Sequence, residues 1–186
     1  VLFKAKEDVP FNKPYIVCVG RLEPGKRPDR MIQIFFEGKL YERFDLVFVG
    51  QGSLKSSLRE QARASGHLSQ VHFPGFSRNP YAWMSHSSVM VMTSDKESFA
   101  NVVVEGIVSG ARVVCGDCEC GPREIMIGPY SQYLVSLDDI DAYIQTIELA
   151  LSSYPNVTKQ FIARFDTPSI AKQYLDFYYK TFMRRE

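Results

Sequence analysis

The sequence lacks any long apolar run and any strong excess of charge of one sign. None of its hydrophobic stretches approaches the roughly 20 residues that a membrane-spanning helix needs, and no signal peptide opens the chain. The formal net charge is +1, which gives no reason to expect nucleic-acid binding. With 45% hydrophobic and 23% charged residues, the composition is that of a globular protein and not of a disordered one.

Cysteine and histidine are also scarce. The chain has four cysteines, Cys18, Cys115, Cys118 and Cys120. Three of them are close in sequence, but a zinc site would need two such pairs, or a pair with suitably spaced histidines, and the three histidines do not have that spacing. We therefore expect reduced thiols, no metal site and a cytoplasmic protein.

The length of 186 residues allows one substantial domain and is too short for two ordinary ones. Residues 1–14 are mostly polar and irregular, and we expect a linker or an N-terminal arm there. Residues 15–186 are predicted to form one domain, with only helices from about residue 137 onward. The sequence begins at Val1 and not at a methionine, so we expect that further sequence precedes it.

Short apolar runs alternate with helical patterns through most of the chain. The runs predict strands at 15–19, 46–49, 71–73, 89–92, 112–115 and 132–135. Helices are predicted at 29–36, 54–64, 80–85 and 101–108 and in the tail, with Ser53, Asp138 and Thr167 at N-caps. Apolar strands that alternate with helices indicate a parallel sheet covered on both faces. The predicted fold class is α/β, a doubly wound, Rossmann-like parallel sheet of about six strands with extra C-terminal helices.

Ligands of such sheets bind beyond the carboxyl ends of the strands, so the loops after the strands hold the candidate site residues. The loop after the first strand contains Gly20, Arg21 and Lys26. Arginine can bind phosphate oxygens bidentately and lysine adds a point charge, which suits a diphosphate, although an ordinary solvated loop is the alternative. The second loop contains Gly50 and Gly52, which would allow close approach of a ligand or form a plain tight turn.

The loop after the fourth strand carries carboxylates and leads into a helix. Glu97 is predicted to lie in the loop, and Glu105 about one turn into the helix, whose N-terminal amides can hold an anion. Carboxylates beside a phosphate site suit hydrogen bonds from sugar hydroxyls. An exposed helix carboxylate is the alternative for Glu105, but its neighbours are apolar and a buried glutamate requires a partner.

Taken together, these motifs resemble the donor-site motifs of glycosyltransferase family 4. They are Gly20-Arg21 with Lys26, the Glu-x7-Glu spacing of Glu97 and Glu105, and the segment Gly-Pro-Arg-Glu-Ile at 121–125. The resemblance covers nearly the whole chain from about Tyr15. It implies the C-terminal, donor-binding half of a retaining enzyme with the two-domain GT-B architecture.

The resemblance also implies roles for the charged residues. Arg21 and Lys26 would hold the donor diphosphate, Glu105 the ribose hydroxyls, and Glu97 would face the donor sugar. Arg21, Lys26 and Glu97 would form the catalytic set. Such an enzyme is implied to need no metal or other cofactor, because the two cations stabilise the departing diphosphate.

The remaining implied donor contacts come from loop backbone and from a third loop. They are Gly20, the amides around Phe99, Ala100 and Asn101, and Gly75, Phe76 and Ser77 where the base is received. A UDP-sugar is the first expectation for the donor. The chain departs from the family pattern at Ser98 and Ala100, where glycines are common, and at Arg27, where a glycine often follows the lysine.

The resemblance implies that the acceptor-binding half lies on a preceding domain outside this sequence. We therefore expect a fragment that is inactive alone and whose partners are a nucleotide sugar, a preceding acceptor domain and a glycan or lipid-linked acceptor. Contact with the inner membrane face would be peripheral and made through the absent domain. Two alternatives stay open. One is a donor-binding subunit of a two-chain transferase, and the other is a GT-B nucleotide-sugar epimerase or phosphorylase, which would need a catalytic histidine or cofactor lysine that we do not identify.

The tail contains a series of aromatic residues. They are Tyr154, Tyr174, Phe177, Tyr178, Tyr179 and Phe182. We predict that they form helical core within this domain, with packing on the absent domain as the alternative.

Overall fold

The computed structural model describes residues 8–183. The chain divides into two compact units, Val1–Pro155 and Asn156–Glu186. The first unit contains one six-stranded sheet in which every pair of neighbouring strands is parallel. Its strands are β1 (Tyr15–Val19), β2 (Asp45–Val49), β3 (Val71–Gly75), β4 (Val89–Met92), β5 (Val113–Gly116) and β6 (Leu134–Val135).

Helices follow the strands and cover both faces of the sheet. In the first unit they are α1 (Pro28–Glu37), α2 (Lys55–Ala64), α3 (Pro80–His86), α4 (Asn101–Ser109), α5 (Pro122–Ile125) and α6 (Ile140–Ser152). Prolines stand in the first turn of α1, α3 and α5, where the missing N–H has no intrahelical partner to lose. The predicted doubly wound α/β fold is confirmed.

The strand order is β3-β2-β1-β4-β5-β6. The chain builds outward from β1 in one direction and then returns to add β4 on its other side. In an open parallel sheet this reversal leaves a crevice between the loops that follow the two central strands. The topology therefore places the loops after β1 and β4 at the expected ligand site.

The core consists of the strands and the apolar faces of the helices against them. Every residue of β2 is buried, as a strand covered on both faces requires. In α1, Met31, Ile34 and Phe35 recur at helical spacing and are fully buried against the sheet. The continuous apolar runs that predicted these strands thus reflect burial on both faces.

Several predicted boundaries and caps are corrected by one or two residues. The fifth strand begins at Val113 and not at residue 112, and the sixth is only Leu134–Val135, because a 3₁₀ helix occupies Gly128–Tyr133. Ser53 does not cap α2, which begins at Lys55; its backbone N–H and hydroxyl both donate to Glu23 instead.

The predicted caps of the tail helices are each displaced by one residue. Asp139, not Asp138, caps α6, and its carboxylate accepts from the amide of Ala142. Asp166, not Thr167, caps the last helix. In both places two residues that can cap a helix are adjacent, and the cap is the one directly before the first helical residue.

The described part of the second unit, residues 156–183, contains two helices, α7 (Lys159–Ala163) and α8 (Thr167–Phe182). The prediction that the aromatic series forms helical core is wrong for α8, in which no residue is buried. Tyr174 is 73% exposed and Phe177 64%. Tyr154, in the first unit, is not helical either, because it follows the end of α6. It is half-buried: its ring lies 4.5 Å from that of Tyr133, and its hydroxyl donates to the carbonyl of Val113. Within residues 8–183 no helix has the length and apolar character needed to cross a bilayer.

Candidate functional site

A cavity of about 480 Å³ opens between the loops that follow β1 and β4. It lies at the reversal point of the strand order, and its volume is within the range of about 300–1,000 Å³ that is usual for small-ligand sites. Predicted site residues form much of its wall. They are Gly20, Arg21, Lys26, Glu97, Phe99, Ala100, Asn101 and Glu105.

Glycines bring the loops after β1 and β2 into direct backbone contact. A Cβ on Gly50 would lie 1.8 Å from the carbonyl oxygen of Gly20, and one on Gly52 would lie 2.3 Å from that of Leu22. Such distances are far inside van der Waals contact, so only glycine fits at either position. The sequence suggested that Gly50 and Gly52 either allow a ligand to approach or form a tight turn. In the structure both glycines are needed because the backbone of the loop after β1 lies against them.

The loop that carries Lys26 is tied to the end of β4. The amide of Asp95 donates to the carbonyl of Gly25 at 3.1 Å, and the Thr93 hydroxyl donates to the carbonyl of Arg27 at 2.8 Å. These bonds fix the backbone on both sides of Lys26. The two loops therefore form one rigid wall of the cavity.

A buried arginine holds the same wall from beneath. Arg30 is 3% exposed, and its guanidinium donates to the carbonyl of Thr93 at 2.6 Å and to the carboxylate of Asp95 at 2.7 Å. Arg27 also donates to Asp95, and these two arginines lower the pKa of the Asp95 carboxyl against the opposing effect of burial. A buried cation paired in this way is costly to disturb.

Lys26 and Glu97 form an ion pair inside the cavity. The Nζ atom of Lys26 lies 2.6 Å and 2.7 Å from the two carboxylate oxygens of Glu97. The Glu97 side chain is only 12% exposed and that of Lys26 29%. Two residues that lie 71 positions apart in the sequence are thus held in a partly desolvated contact.

Arg21 is the second cation of the cavity and is exposed. Its guanidinium makes no side-chain hydrogen bond to any residue in the described part of the chain, 8–183. Its five N–H donors therefore face the cavity and solvent. The charge of Arg21 helps to lower the pKa of Glu23, behind hydrogen bonds from Ser53. Arg21 can bind an anion without breaking a side-chain hydrogen bond to residues 8–183.

The N-terminus of α4 forms the opposite wall. The amides of Asn101 and Val102 are in its first turn, where no intrahelical acceptor exists, and both residues line the cavity. Ala100 precedes them with φ 66° and ψ 51°, a left-handed conformation that costs a non-glycine residue about 1–2 kcal/mol. Arg27 is also left-handed, with φ 48°. Ala100 and Arg27, which stand where the family commonly has glycine, thus adopt a backbone conformation that glycine would adopt without strain.

Glu105 lies one turn into α4 and is half-buried, as predicted. Burial raises the pKa of its carboxyl, and a hydrogen bond from the Tyr81 hydroxyl partly offsets that effect. Tyr81 is on α3, and burial together with the Glu105 charge raises the pKa of its phenol. The partner that a buried glutamate requires is therefore provided in part by the chain itself.

The loop after β5 packs against the loop that carries Glu97. Gly121 has φ 81°, and a Cβ there would lie 2.3 Å from the carbonyl oxygen of Phe99. Arg123, in the predicted family segment, is exposed and donates to both carboxylate oxygens of Asp117. The segment 121–125 therefore packs against the loop that carries Glu97 and does not line the cavity.

The predicted base-binding residues are not in the same cavity. Gly75, Phe76 and Ser77 line a second depression of about 420 Å³, together with Trp83. Phe76, which lines this depression, is 72% exposed. The structure thus brings the residues assigned to phosphate, ribose and sugar together, and places the base segment in a separate depression.

All four cysteines are free. Cys18 lines the main cavity, whereas Cys115 and Cys118 are buried. Burial raises the pKa of each of these three thiols, so they are protonated at neutral pH.

Sequence reasoning missed the residues that support the site. Tyr81, Thr93 and Arg30 carry no loop motif, and their contacts join segments far apart in the chain. Arg30 did leave a signal, because it is a charged residue beside Met31 on the apolar face of α1. A cation in such a place predicts a buried partner.

With this geometry established, comparison with known proteins identifies the family. Residues 2–164 match the family described as Glycosyl transferases group 1. This match covers most of the chain, and the chain belongs to that family.

Individual relatives agree. The chain is 29% identical over 180 residues to N-acetylgalactosamine-N,N'-diacetylbacillosaminyl-diphospho-undecaprenol 4-alpha-N-acetylgalactosaminyltransferase of Campylobacter jejuni, covering 94% of this chain and 49% of that protein. It therefore spans about half the length of that relative.

Solved structures share the fold. Staphylococcus aureus TarM, crystallised with Fondaparinux, alpha-GlcNAc-glycerol and UDP, superposes with a TM-score of 0.76 at 19% identity, over 92% of this chain and 37% of that one. The C-terminal domain of the group 1 glycosyl transferase LpcC from Francisella tularensis superposes with a TM-score of 0.65 at 22% identity, over 76% of this chain and 78% of that one. At these identities the likeness concerns the fold.

Proposed function

We propose that this chain is the donor-binding half of a retaining glycosyltransferase of family 4 that uses a nucleoside diphosphate sugar, with UDP-sugars as the first candidates. The observation that carries the proposal is the composition of one cavity. Two cations, two carboxylates and a helix N-terminus meet there at the reversal point of a parallel sheet. These groups match the chemistry of a diphosphate that links two sugars.

The diphosphate is assigned to the cationic side of the cavity. Arg21 is free to bind phosphate oxygens bidentately, and Lys26 adds a point charge. The amides of Asn101 and Val102 add donors and the positive end of the α4 dipole. These groups are proposed to hold the diphosphate, and no metal ion is assigned to the site.

The two carboxylates are assigned to the two sugars of the donor. Glu105 accepts from the ribose hydroxyls, because it is half-buried and the hydrogen bond from Tyr81 leaves acceptor capacity on the carboxylate. Glu97 accepts from hydroxyls of the transferred sugar, because it lies in the cavity beside Lys26 and so beside the distal phosphate.

Transfer then requires little covalent chemistry from this half. An acceptor hydroxyl attacks the anomeric carbon on the face that the nucleotide leaves, and the bond from that carbon to the phosphate oxygen breaks. The oxygen keeps the electron pair, and the acceptor proton passes to the departing diphosphate. Arg21 and Lys26 stabilise the charge that develops on that oxygen.

The acceptor side of the cleft is assigned to sequence outside this chain. The chain spans 49% of the Campylobacter relative, whose name includes a diphospho-undecaprenol acceptor. A glycan or a lipid-linked saccharide is accordingly the proposed acceptor. A cytoplasmic protein that contacts the inner membrane face through its acceptor half would reach such a lipid.

Glu105→Gln is expected to weaken binding of UDP by about 1–3 kcal/mol, because a charge-assisted hydrogen bond from the ribose becomes a neutral one. The measurement is calorimetric titration of the variant and the wild-type chain. Burial raises the pKa of Glu105, which means that the charged carboxylate is less stable in the folded chain than in the unfolded one. Replacing it with a neutral glutamine should therefore not lower the melting temperature.

The control ligand for this prediction is 2′,3′-dideoxy-UDP, which lacks the hydroxyls assigned to Glu105. Its affinity should be the same for both proteins. Loss of stability with unchanged UDP affinity would make Glu105 a structural residue and would refute the ribose assignment.

A further inference from the structure

Lys26 and Glu97 bind one another in the free chain, although the proposed site gives them different tasks. The Lys26 ammonium contacts both carboxylate oxygens of Glu97, at 2.6 Å and 2.7 Å. Lysine has three N–H donors, so one remains for any other acceptor. A phosphate that binds Lys26 must therefore compete with Glu97.

The competition is fixed by the scaffold. The backbone at Lys26 is bonded to the end of β4 on both sides, through Gly25 and Arg27, and Glu97 follows two residues after Asp95, which Arg30 holds. Both side chains are mostly buried in the cavity wall. Their contact is therefore a property of the site and unlike a solvent-exposed pair, which salt and water readily separate.

The free nucleoside diphosphate and the sugar nucleotide differ at the oxygen that faces this pair. In the sugar nucleotide that oxygen is esterified to the anomeric carbon. In the free diphosphate it belongs to a terminal phosphate whose second pKa, by analogy with a phosphate monoester, is about 6, so it carries additional negative charge at pH 7. Glu97 repels that charge, whereas the hydroxyls of a sugar donate to the same carboxylate.

We propose, building on the proposed function, that Glu97 makes the site discriminate against the free nucleoside diphosphate product. It competes with the terminal phosphate for Lys26 and repels its extra charge. With the sugar nucleotide bound, sugar hydroxyls replace Lys26 as partners of Glu97. When transfer leaves the new charge on the phosphate, Glu97 recovers Lys26 and product release is favoured. The carboxylate that orients the donor sugar thus also limits product inhibition.

Glu97→Gln is expected to tighten UDP binding about 10-fold, which corresponds to about 1.4 kcal/mol. Binding of UDP-N-acetylglucosamine should stay the same or weaken, because the neutral amide is a poorer acceptor for sugar hydroxyls. Both are measured by calorimetric titration of the 186-residue chain at low salt and pH 7.5. If the wild-type chain prefers GDP or ADP, that nucleotide and its glucose conjugate are used. Should Glu97→Gln fail to fold, Glu97→Ala takes its place.

The matched control is Glu119→Gln. It removes the same charge from the neighbouring loop, where residue 119 is exposed and forms a parallel backbone bridge with Lys96. Its ratio of UDP to UDP-sugar affinity should equal that of the wild type. When Lys26 is already replaced by glutamine, Glu97→Gln should increase the affinity for UDP by a smaller factor. The reason is that Glu97 then has no Lys26 ammonium for which it competes with the phosphate.

The outcomes separate this inference from the proposed function. An unchanged or weaker affinity of Glu97→Gln for UDP, or an equal gain in Glu119→Gln, would overturn the discrimination by Glu97 while leaving the donor site intact. Absence of binding of every nucleoside diphosphate to the wild type would instead refute the proposed function, and this inference with it.

Discussion

Lys26→Ala is expected to weaken binding of a nucleoside diphosphate about 10- to 100-fold, since hydrogen bonds to charged groups contribute about 1.5–3 kcal/mol. The loss has two sources. The ammonium no longer binds the phosphate, and the Glu97 carboxylate, 12% exposed, is left without its cation beside the same phosphate. Arg21→Ala should also lose affinity, mainly through the bidentate contact, because Arg21 is exposed and its interaction with the exposed Glu23 is electrostatic only. Calorimetric titration with UDP measures both.

Two controls make the result specific. The nucleoside uridine should bind all variants equally, because it has no phosphate. Lys96→Ala removes an exposed lysine from the same loop region without touching the cavity, and its affinity for UDP should be that of the wild type. The Lys26 effect should diminish at high salt, because it is largely electrostatic. Equal losses for uridine and UDP would show that Lys26 acts through folding.

Sugar transfer by the 186-residue chain alone is expected to be undetectable, whatever acceptor is offered. Positioning of the acceptor can contribute about 7–11 kcal/mol to lowering a barrier, and the cavity residues assigned here all serve the donor. A donor bound in half a cleft also stays open to water, which weakens the stabilisation of the leaving group. The measurement is transfer of radiolabelled sugar from a UDP-sugar panel to saccharide and lipid-linked acceptors.

The second arm of this experiment restores the acceptor half. The open reading frame that contains this sequence is expressed in full, and any separately encoded acceptor-binding chain is added. Transfer should appear in one of these two preparations, which also distinguishes a single-chain enzyme from a two-chain one. Turnover by the 186-residue chain alone would contradict the proposal that the acceptor site lies outside it.

The sheet could be predicted from the sequence because its strands are buried on both faces. Tyr15–Val19 and Val89–Met92 are continuous apolar runs, and the structure has them with the predicted ends. Caps were harder, because Asp138 and Asp139 are chemically equivalent candidates and only the helix start selects between them. Apolar periodicity in α8 predicted a core face, but periodicity does not say what covers that face, and the helix is exposed.

The site was predictable where it depends on loops that follow strands, and less so where it depends on contacts across the fold. The topology alone places Arg21 and Glu105 on one cavity. The Lys26–Glu97 ion pair and the Tyr81–Glu105 hydrogen bond join residues from different loops and helices. No local sequence pattern predicts either contact. The segment around Phe76 follows β3 as predicted, but it lines a depression separate from the main cavity. The apolar pattern of a strand predicts where the strand ends and does not predict the direction that the following loop takes.

Donor binding is tested most directly by calorimetric titration of the wild-type chain with UDP, GDP and ADP, each compared with its nucleoside. The cavity between the loops after β1 and β4 is assigned to a diphosphate held by Arg21, Lys26 and the N-terminus of α4. We expect at least one diphosphate to bind with 1:1 stoichiometry and its nucleoside to bind far more weakly. Lys26→Ala should remove most of that difference in affinity. Failure of all three diphosphates to bind at millimolar concentration, or equal binding of a diphosphate and its nucleoside, would contradict it.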